Sequence, residues 1–517
     1  MKKTIYILTL LCAATSTQAQ VGIGTTSPDA SSILDATSTS KGLLAPRMTT
    51  AQRDNITSPA TGLQIYNTDN RAIETCSGPT GFTTFEWFTL GRGNGAASSN
   101  TAVGVQALKS NSTGYYNTAI GRNTLYSNTT GDNNAANGNY ALYSNITGDR
   151  NVANGYRALY YNTTGSENTA NGTDALYSNT TGSQNLANGY RALYYNTTGS
   201  ENTANGTDAL YSNTTGSQNL ANGYRALYAN TIGSGNTATG MDALYSNTTG
   251  NFNTANGKNA MRLNIGADYN TANGADALKL NTSGFSNVAN GYSALSSNAS
   301  GNSNTANGSH ALKSNTTGSS NTANGKSALQ ANLSGIQNTA NGSHALKSNT
   351  IGKWNSANGY YSLYSNTIGE HNTASGYRAL FTNTTGSNNT AIGDDADVGS
   401  NNLDNATAIG HDATVANSNT IQLGNTDITN VKTSGTITAG AITIPNTDGT
   451  ANQVLKTDGS GALTWSTPST TATAIDDTSA PTSSASSGTA GEIRYSSSYI
   501  YICTATDTWT RVAVSTF

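Results

Sequence analysis

The chain has 517 residues and a formal net charge of −3, and only 10% of its residues are charged. Ordinary globular chains carry roughly 25% charged residues; the excess here is asparagine, threonine, serine and glycine. No basic stripe of the kind that nucleic-acid-binding proteins carry is evident, and no nucleophile–base–acid set is visible. We therefore expect neither an enzyme nor a nucleic-acid partner.

Residues 1–19 are predicted to be a signal peptide. Lys2 and Lys3 form its basic end, an apolar stretch runs from Ile5 to Ala14, and Ala19 ends a small-residue cleavage site. No later segment approaches the length of a transmembrane helix, so no integral membrane segment is expected. We expect an exported protein, either extracellular or associated with the cell surface or outer membrane.

Residues 20–95 are predicted to form a small β module. A strand-like run at Gly62–Tyr66 is followed by a segment with Cys76 and then by Trp87, and residues 491–517 repeat this order around Cys503 and Trp509. We interpret the two regions as copies of one module, and both resemble parts of phage tail-fibre proteins. The cysteines lie at opposite ends of the chain, so we expect no bond between them within one chain. Whether they are free or form interchain disulfides stays open.

Residues 96–425 contain a 17-residue repeat. Its glycine recurs without a slip from Gly104 to Gly410, and residues 156–189 and 190–223 are identical. A fixed period of this length indicates stacked structural units. Each coil has two Gly/Asn corners and two short extended pieces, which predicts an all-β fold: a repetitive parallel β-solenoid with coils spaced about 4.8 Å apart.

Individual columns of the repeat favour stacking in register. A leucine follows the glycine by four residues and an alanine precedes it by two, which predicts a thin apolar core. Two residues after the glycine the charge alternates, as at Arg157, Asp174, Arg191 and Asp208. Opposite charges on neighbouring strands attract each other, so this alternation indicates that each coil lies directly on the next.

The array resembles the head repeats of trimeric autotransporter adhesins. The resemblance rests on N-T-A-I-G at 117–121 and 389–393, A-T-A-I-G at 406–410 and S-N-T-I-Q-L-G-N at 418–425. It implies a β-roll that associates as a homotrimer and binds host or environmental surfaces. The array differs from those heads in its longer coil and in having asparagine where isoleucine or valine is expected.

That asparagine column directly precedes the repeated glycine and has two interpretations. It lies either on a threefold axis between three chains or in an Asn ladder that faces solvent or the coil interior. Its members include Asn137, Asn154, Asn171, Asn188, Asn205, Asn222 and Asn256.

A tyrosine column is the candidate binding surface. Strand alternation places it opposite the core leucine, so we expect these side chains to be exposed and available for contact. The alternative is a self-stacking ladder that stiffens the array. The column consists of Tyr126, Tyr143, Tyr160, Tyr177, Tyr194, Tyr211, Tyr228 and Tyr245.

Asp394, Asp395 and Asp397 form a candidate calcium site, because carboxylate oxygens are the ligands that Ca²⁺ prefers. A solvated acidic corner is the alternative, and no other cofactor is predicted. Residues 426–470 are predicted to form a β shaft with a kinked strand at 436–444 and a hairpin around 457–461. Residues 471–490, rich in Ser, Thr and Ala, are predicted to be a linker.

The sequence thus favours a non-enzymatic, secreted or cell-surface fibrous adhesin that binds an unknown receptor or polysaccharide. Two alternatives remain at this point. One is a receptor-binding tail-fibre-like protein of a phage-like particle. The other is an ice-binding solenoid, which needs an uninterrupted threonine column on a flat exposed face.

Overall fold

The structure is a computed structural model with two compact units, residues 1–425 and 426–517. The predicted signal peptide and most of the predicted linker lie outside the described residues. The structure describes residues 21–27, 32–69, 71–80, 84–91, 99–435, 437–439, 442–444, 449–460, 462–468, 481–484, 486–496 and 498–513.

Before the array, the described residues of the first unit form six strands and one short helix. They are β1 (Val21–Ile23), β2 (Leu34–Ala36), β3 (Arg47–Met48), α1 (Thr50–Asp54), β4 (Gln64–Asn67), β5 (Ala72–Thr80) and β6 (Thr84–Gly91). β1 pairs in parallel with β2, and β3 in parallel with β4. β4, β5 and β6 form an antiparallel meander around buried Ile65, Cys76 and Trp87, and β6 pairs with the first strand of the array.

The array contributes one strand from almost every coil. Its strands are β7 (Thr101–Val105), β8 (Thr118–Ile120), β9 (Ala135–Asn137), β10 (Val152–Asn154), β11 (Thr169–Asn171), β12 (Leu186–Asn188), β13 (Thr203–Asn205), β14 (Leu220–Asn222), β15 (Thr237–Thr239), β16 (Thr254–Asn256), β17 (Thr271–Asn273), β18 (Val288–Asn290), β19 (Thr305–Asn307), β20 (Thr322–Asn324), β21 (Thr339–Asn341), β22 (Ser356–Asn358), β23 (Thr373–Ser375), β24 (Thr390–Ile392), β25 (Asp397–Val398), β26 (Thr407–Ile409), β27 (Thr414–Val415) and β28 (Ile421–Leu423).

Along the main sheet these strands stack in parallel with a shift of 17 residues, as where Ala187 pairs with Ala204, and the last pair, β26 with β28, is shifted by 14 residues. The predicted all-β, parallel β-solenoid of 17-residue coils is therefore confirmed. The prediction of two short extended pieces per coil is wrong for most of the array and holds in two coils near its end, where β25 pairs in parallel with β27. The second extended piece, for example residues 190–195, consists of turns, although it too bonds along the stack, as from the Leu193 amide to the Ala209 carbonyl at 3.0 Å.

The residues that follow the repeated glycine form turns, because their backbone adopts positive φ at alternate residues. We call this part of the coil the turn side. In one coil these are Arg191 at 54° and Leu193 at 53°, and equivalent positions recur through the array. The repeated glycine is also left-handed, as at Gly189 with φ 140°, and a Cβ there would meet the Gly206 carbonyl. Of the two residue types expected at the corners, the repeated glycine is thus left-handed, whereas the core asparagines have no positive φ.

The core is thin and contains buried polar side chains beside the apolar ones. Each typical coil contributes two alanines and a leucine with no exposed surface, such as Ala187, Ala192 and Leu193. It also buries two asparagines, Asn196 and Asn202, which the sequence analysis did not place in the core. The Asn196 amide nitrogen donates to Asn179 Oδ1 at 2.7 Å and to the Gly199 carbonyl at 2.9 Å, so the buried amides satisfy each other along the stack.

In the described part of the second unit, the strands form three small antiparallel sheets. Its strands are β29 (Ile437–Ala439), β30 (Ile442–Ile444), β31 (Val454–Thr457), β32 (Leu463–Ser466), β33 (Ile493–Tyr495), β34 (Tyr499–Ala505) and β35 (Thr508–Ala513). The predicted kinked strand is wrong, because β29 and β30 are two separate strands that pair with each other. The predicted hairpin is confirmed as the β31–β32 pair.

The two end modules share one hydrogen-bond pattern. The Gly62 amide donates to the Cys76 carbonyl at 2.8 Å, and the Gly491 amide donates to the Cys503 carbonyl at the same distance. Each cysteine pairs across the sheet with the following tryptophan, and a β-bulge follows each cysteine. These matches support the interpretation of two copies of one module. Both cysteines are buried and free within the chain.

Candidate binding surface

The predicted tyrosine column forms a continuous ring stack along eight coils. Successive rings from Tyr126 to Tyr245 have centroids 5.0–5.3 Å apart and interplanar angles of 4–21°. The rings bury each other's faces, so these side chains are only partly exposed. The expectation that these side chains are exposed is therefore met only in part, because each of the eight tyrosines is half-buried.

Arginines lie between this column and a second set of tyrosines. Arg157 lies 4.8 Å from the Tyr156 ring centroid and 5.0 Å from that of Tyr177, so its guanidinium contacts two aromatic rings. The same guanidinium makes a bidentate ion pair with Asp174 in the next coil, at 2.8 and 2.9 Å. The hydrogen bond to Asp174 raises the pKa of Arg157, so this cation stays charged throughout the accessible pH range.

The arrangement repeats every second coil. Arg191 lies between Tyr190 and Tyr211 and pairs with Asp208, and Arg225 lies between Tyr224 and Tyr245 near Asp242. These Arg–Asp pairs support the coil-on-coil register inferred from the alternating charges. Three identical Tyr–Arg–Tyr units therefore follow one another at a spacing of two coils, roughly 10 Å.

Further tyrosines pack edge-on against the stack. Tyr161 makes T-shaped contacts with Tyr160 and Tyr177 at 4.7 and 5.1 Å. Burial, helped by a hydrogen bond with Tyr161, raises the pKa of Tyr177 to about 12. Two coils later, Tyr195 makes the same contact with Tyr211, and burial together with a hydrogen bond with Tyr195 raises the pKa of Tyr211 in the same way.

The ends of the ring stack are closed by cations of the same column. Lys109 lies 5.1 Å from the ring centroid of Tyr126, and Arg262 lies 5.3 Å from that of Tyr245. Together with the tyrosines between them, these residues define the aromatic face. Of the tyrosines that contact the stacked rings or their arginines, the most exposed lie outside the predicted column: Tyr156, Tyr161, Tyr190, Tyr195 and Tyr224, each 46–47% exposed.

Sequence reasoning missed these five tyrosines and the role of the arginines, although a signal was available. The motif Y-R-A-L-Y-Y in the identical 34-residue segments already contains both outer tyrosines and the arginine. The strand alternation assumed for this piece could not bring them together, whereas the left-handed turns do.

The asparagine column before the glycine points outward from the sheet, opposite the core alanine. Its amides form a ladder, for example from Asn171 to Asn188 at 2.8 Å and from Asn188 to Asn205 at 2.9 Å. Ile120 and Ile392 occupy the same column near its ends and are 41% and 46% exposed on the single chain. The amides thus form a ladder, and this geometry is compatible both with a position on a threefold axis and with a ladder that faces solvent.

The outward column two residues before these asparagines bears on ice binding. It carries threonine at Thr169 and Thr203, but Leu186 and Leu220 alternate with them, and Val288 interrupts it further on. On this face of the described solenoid the threonine column is therefore not continuous, so this face does not offer the uninterrupted threonine column that ice binding needs.

The predicted calcium ligands do not converge. Both carboxylate oxygens of Asp397 accept from the Thr382 amide, at 3.0 and 3.2 Å, and its burial raises its pKa. Asp395 lies 3.3 Å from Arg378, and Asp394 is exposed. Across the residues that the structure describes, no group of three or more His, Cys, Asp or Glu side chains could hold a metal ion. The geometry gives the calcium hypothesis no support.

Residues 22–104 match the family model described as the phage tail like trimerisation region. The match covers the N-terminal module and the first strand of the array, and it supports the resemblance to tail-fibre modules and suggests a homotrimer. No curated protein matches the chain, and no solved structure matches it. The resemblance of the array to autotransporter adhesin heads stays a prediction. Among the described residues, no helix combines the length and apolar character needed to cross a bilayer.

Proposed function

We propose that this protein is an exported, non-enzymatic, homotrimeric fibrous adhesin that attaches to surfaces through its aromatic face. One observation carries the proposal: a rigid β-solenoid presents three identical Tyr–Arg–Tyr units and a ring stack along one flank. Tyrosine and arginine are enriched in recognition surfaces, because tyrosine offers rigid contact area with a polar tip. Stacking and ion pairs hold the side chains in place before contact, which lowers the entropy lost on binding.

A tail-fibre-like protein of a phage-like particle is the second candidate. The match of residues 22–104 to a phage tail like trimerisation region favours it, and the predicted signal peptide favours the adhesin. Immunolabelling of intact, virus-free cells that produce the protein separates the two. Label on the cell surface supports the adhesin, and label confined to released particles supports the tail fibre.

Substitution of the ring stack tests the adhesive role. Changing Tyr160, Tyr177, Tyr194 and Tyr211 to Ser should remove retention of the labelled protein on bacterial cells, glass and polystyrene. The same four positions changed to Phe provide the matched control, because the stack is kept and only the hydroxyls are lost. Circular dichroism establishes that both variants fold. If the folded Ser variant is fully retained on these surfaces, the ring stack only stiffens the array and does not mediate adhesion.

A further inference from the structure

The carboxylates of the array are unevenly distributed. The 93 residues between Asp276 and Glu370 include no Asp or Glu, but they include five lysines and two histidines. In a chain whose net charge is −3, this segment carries +5 with its histidines neutral. The overall composition, from which we inferred that no basic stripe is present, conceals this local excess of positive charge.

The structure separates the five lysines into two groups. Lys279 pairs with Asp276 at 3.1 Å and Lys353 with Glu370 at 3.7 Å, so the carboxylates at the two borders neutralise the outer lysines. Lys313, Lys326 and Lys347 make no ion pair within the described part of the chain. Three central lysines thus remain uncompensated.

These lysines belong to a duplicated motif. Residues 304–316 and 338–350 have the identical sequence NTANGSHALKSNT. In each copy the serine hydroxyl lies 2.9 Å from the histidine Nδ1, at Ser309–His310 and Ser343–His344. Lys326 comes from the coil between the two copies. We call Lys313, Lys326, Lys347, His310 and His344 the basic strip.

The charges of the basic strip converge on one flank. Burial lowers the pKa of His310, and the positive charges of Lys313 and Lys326 lower it further. The pKa of His344 is lowered in the same way, by burial and by the positive charges of Lys347 and Lys326. The backbone places these residues next to one another: the Lys313 and Lys347 amides donate to the His310 and His344 carbonyls at 3.3 Å, and the His344 amide donates to the Lys326 carbonyl at 2.9 Å. The basic strip therefore spans three successive coils on the turn side of the solenoid.

We propose that the basic strip is a binding site for an extended acidic polysaccharide that carries carboxylate or sulfate groups. Lys313 and Lys347 are two coils apart, roughly 10 Å along the stack, with Lys326 between them. An extended glycan with an acidic group on alternate sugars presents its charges at a spacing of this order. Aromatic side chains flank the strip, since the Tyr292 ring lies 5.2 Å from the His310 ring and the Tyr361 ring 5.0 Å from the His344 ring, and they offer surfaces for sugar rings.

Charge spacing and charge number favour a polysaccharide over other polyanions. A nucleic-acid strand carries a phosphate about every 3.4 Å, so most phosphates along the strip would lack a cation. Attachment to anionic lipid takes clusters of roughly 4–8 basic residues next to the bilayer, and the strip has three lysines. This inference goes beyond the aromatic face, whose ring stack ends at Tyr245, and does not depend on that face being adhesive.

Binding of the purified full chain to defined polysaccharides tests the proposal. The probes are hyaluronan for carboxylates on alternate sugars, keratan sulfate for sulfates and unmodified dextran as the neutral polymer, each at low ionic strength. We expect binding to at least one acidic probe, no binding to dextran, and weakening as salt rises. The acidic probe that binds more tightly identifies the anionic group.

A charge-matched pair of variants locates the site. The triple variant Lys313→Gln, Lys326→Gln, Lys347→Gln should bind the acidic probe at least about tenfold more weakly. The control Lys41→Gln, Lys432→Gln, Lys456→Gln removes the same charge elsewhere and should bind like the unchanged protein. Equal weakening of both variants, or tighter binding of single-stranded DNA than of either acidic probe, would overturn the proposal. Because adhesion through the aromatic face is measured separately with the Tyr→Ser variant, the two proposals fail independently.

Discussion

The core leucines illustrate how single residues set the coil. Leu193 has φ 53° and Met261 has φ 49°, and the same left-handed value recurs in this column. An L-residue in this conformation costs roughly 1–2 kcal/mol, and a β-branched residue tolerates it less well. The column from Leu108 to Leu380 accordingly contains leucine and one methionine but no valine or isoleucine.

The first prediction compares two substitutions of similar volume. Leu193→Ile should lower the stability of the solenoid by at least about 1–2 kcal/mol more than Leu193→Met, because only isoleucine branches at Cβ. Urea denaturation followed by circular dichroism, together with hydrogen exchange of the amides around residue 193, measures the difference. Equal effects of the two substitutions would mean that the left-handed conformation does not restrict this column.

The second prediction concerns alkaline pH. The pKa of Tyr177 and of Tyr211 is about 12 in the folded chain, against about 10 in an unfolded chain. Below pH 10 both states keep the phenolic protons. Between pH 10 and 12 only the unfolded state releases them, so stability falls as pH rises.

The melting temperature should therefore decrease across this pH window. In the variant Tyr177→Phe, Tyr211→Phe the decrease should be smaller, while the melting temperature at pH 8 should change little. Absorbance at the tyrosinate band gives an independent check, because some tyrosines of the folded chain should lose their protons at a higher pH than the others. A decrease of the same size in both proteins would contradict these raised pKa values.

At the scale of one coil, asparagines play two different structural roles. Asn196 is fully buried and bonded along the core, whereas Asn188 belongs to the outer ladder. Removing the buried amide leaves the Asn213 amide nitrogen without the Oδ1 to which it donates at 2.7 Å. A buried polar group left unsatisfied costs about 1–3 kcal/mol, whereas an exposed one can turn to water.

The third prediction follows from that contrast. Asn196→Ala should lower the free energy of unfolding by about 2–3 kcal/mol, and Asn188→Ala by under about 1 kcal/mol. Both variants are compared with the unchanged chain by thermal and urea denaturation. Similar losses at the two positions would show that the outer ladder is as enclosed as the core.

The coil also shows how far sequence reasoning reaches. Period, register and the Ala–Leu core are predictable, because a 17-residue repeat with fixed apolar columns has one simple way to stack. The turn side is not, since positive φ at Arg191 or Leu193 has no compositional signature. For the same reason the tyrosine column was predictable, but its contacts with Tyr156 and Arg157 were not.

On the scale of the whole molecule, the proposed homotrimer raises the question of which surface of the chain would lie on the threefold axis. The match to a trimerisation region ends at residue 104, where the array begins. The array itself offers the outer Asn ladder, with isoleucine at 120, 392 and 409. A polar residue in an otherwise apolar interface lowers stability and fixes register and partner number, as a single asparagine does in a coiled coil.

The last prediction tests whether the Asn ladder lies on the threefold axis. The triple variant Asn171→Ile, Asn188→Ile, Asn205→Ile should remain a trimer with an unchanged or raised melting temperature, because isoleucine would fill a dry interface. If this column faces water in the assembly, the same change creates an exposed apolar patch, and aggregation should follow. Light scattering coupled to size exclusion measures both species, and the unchanged protein should have three times the mass of one chain. A monomeric starting protein that aggregates after substitution would rule out a trimer built on this face.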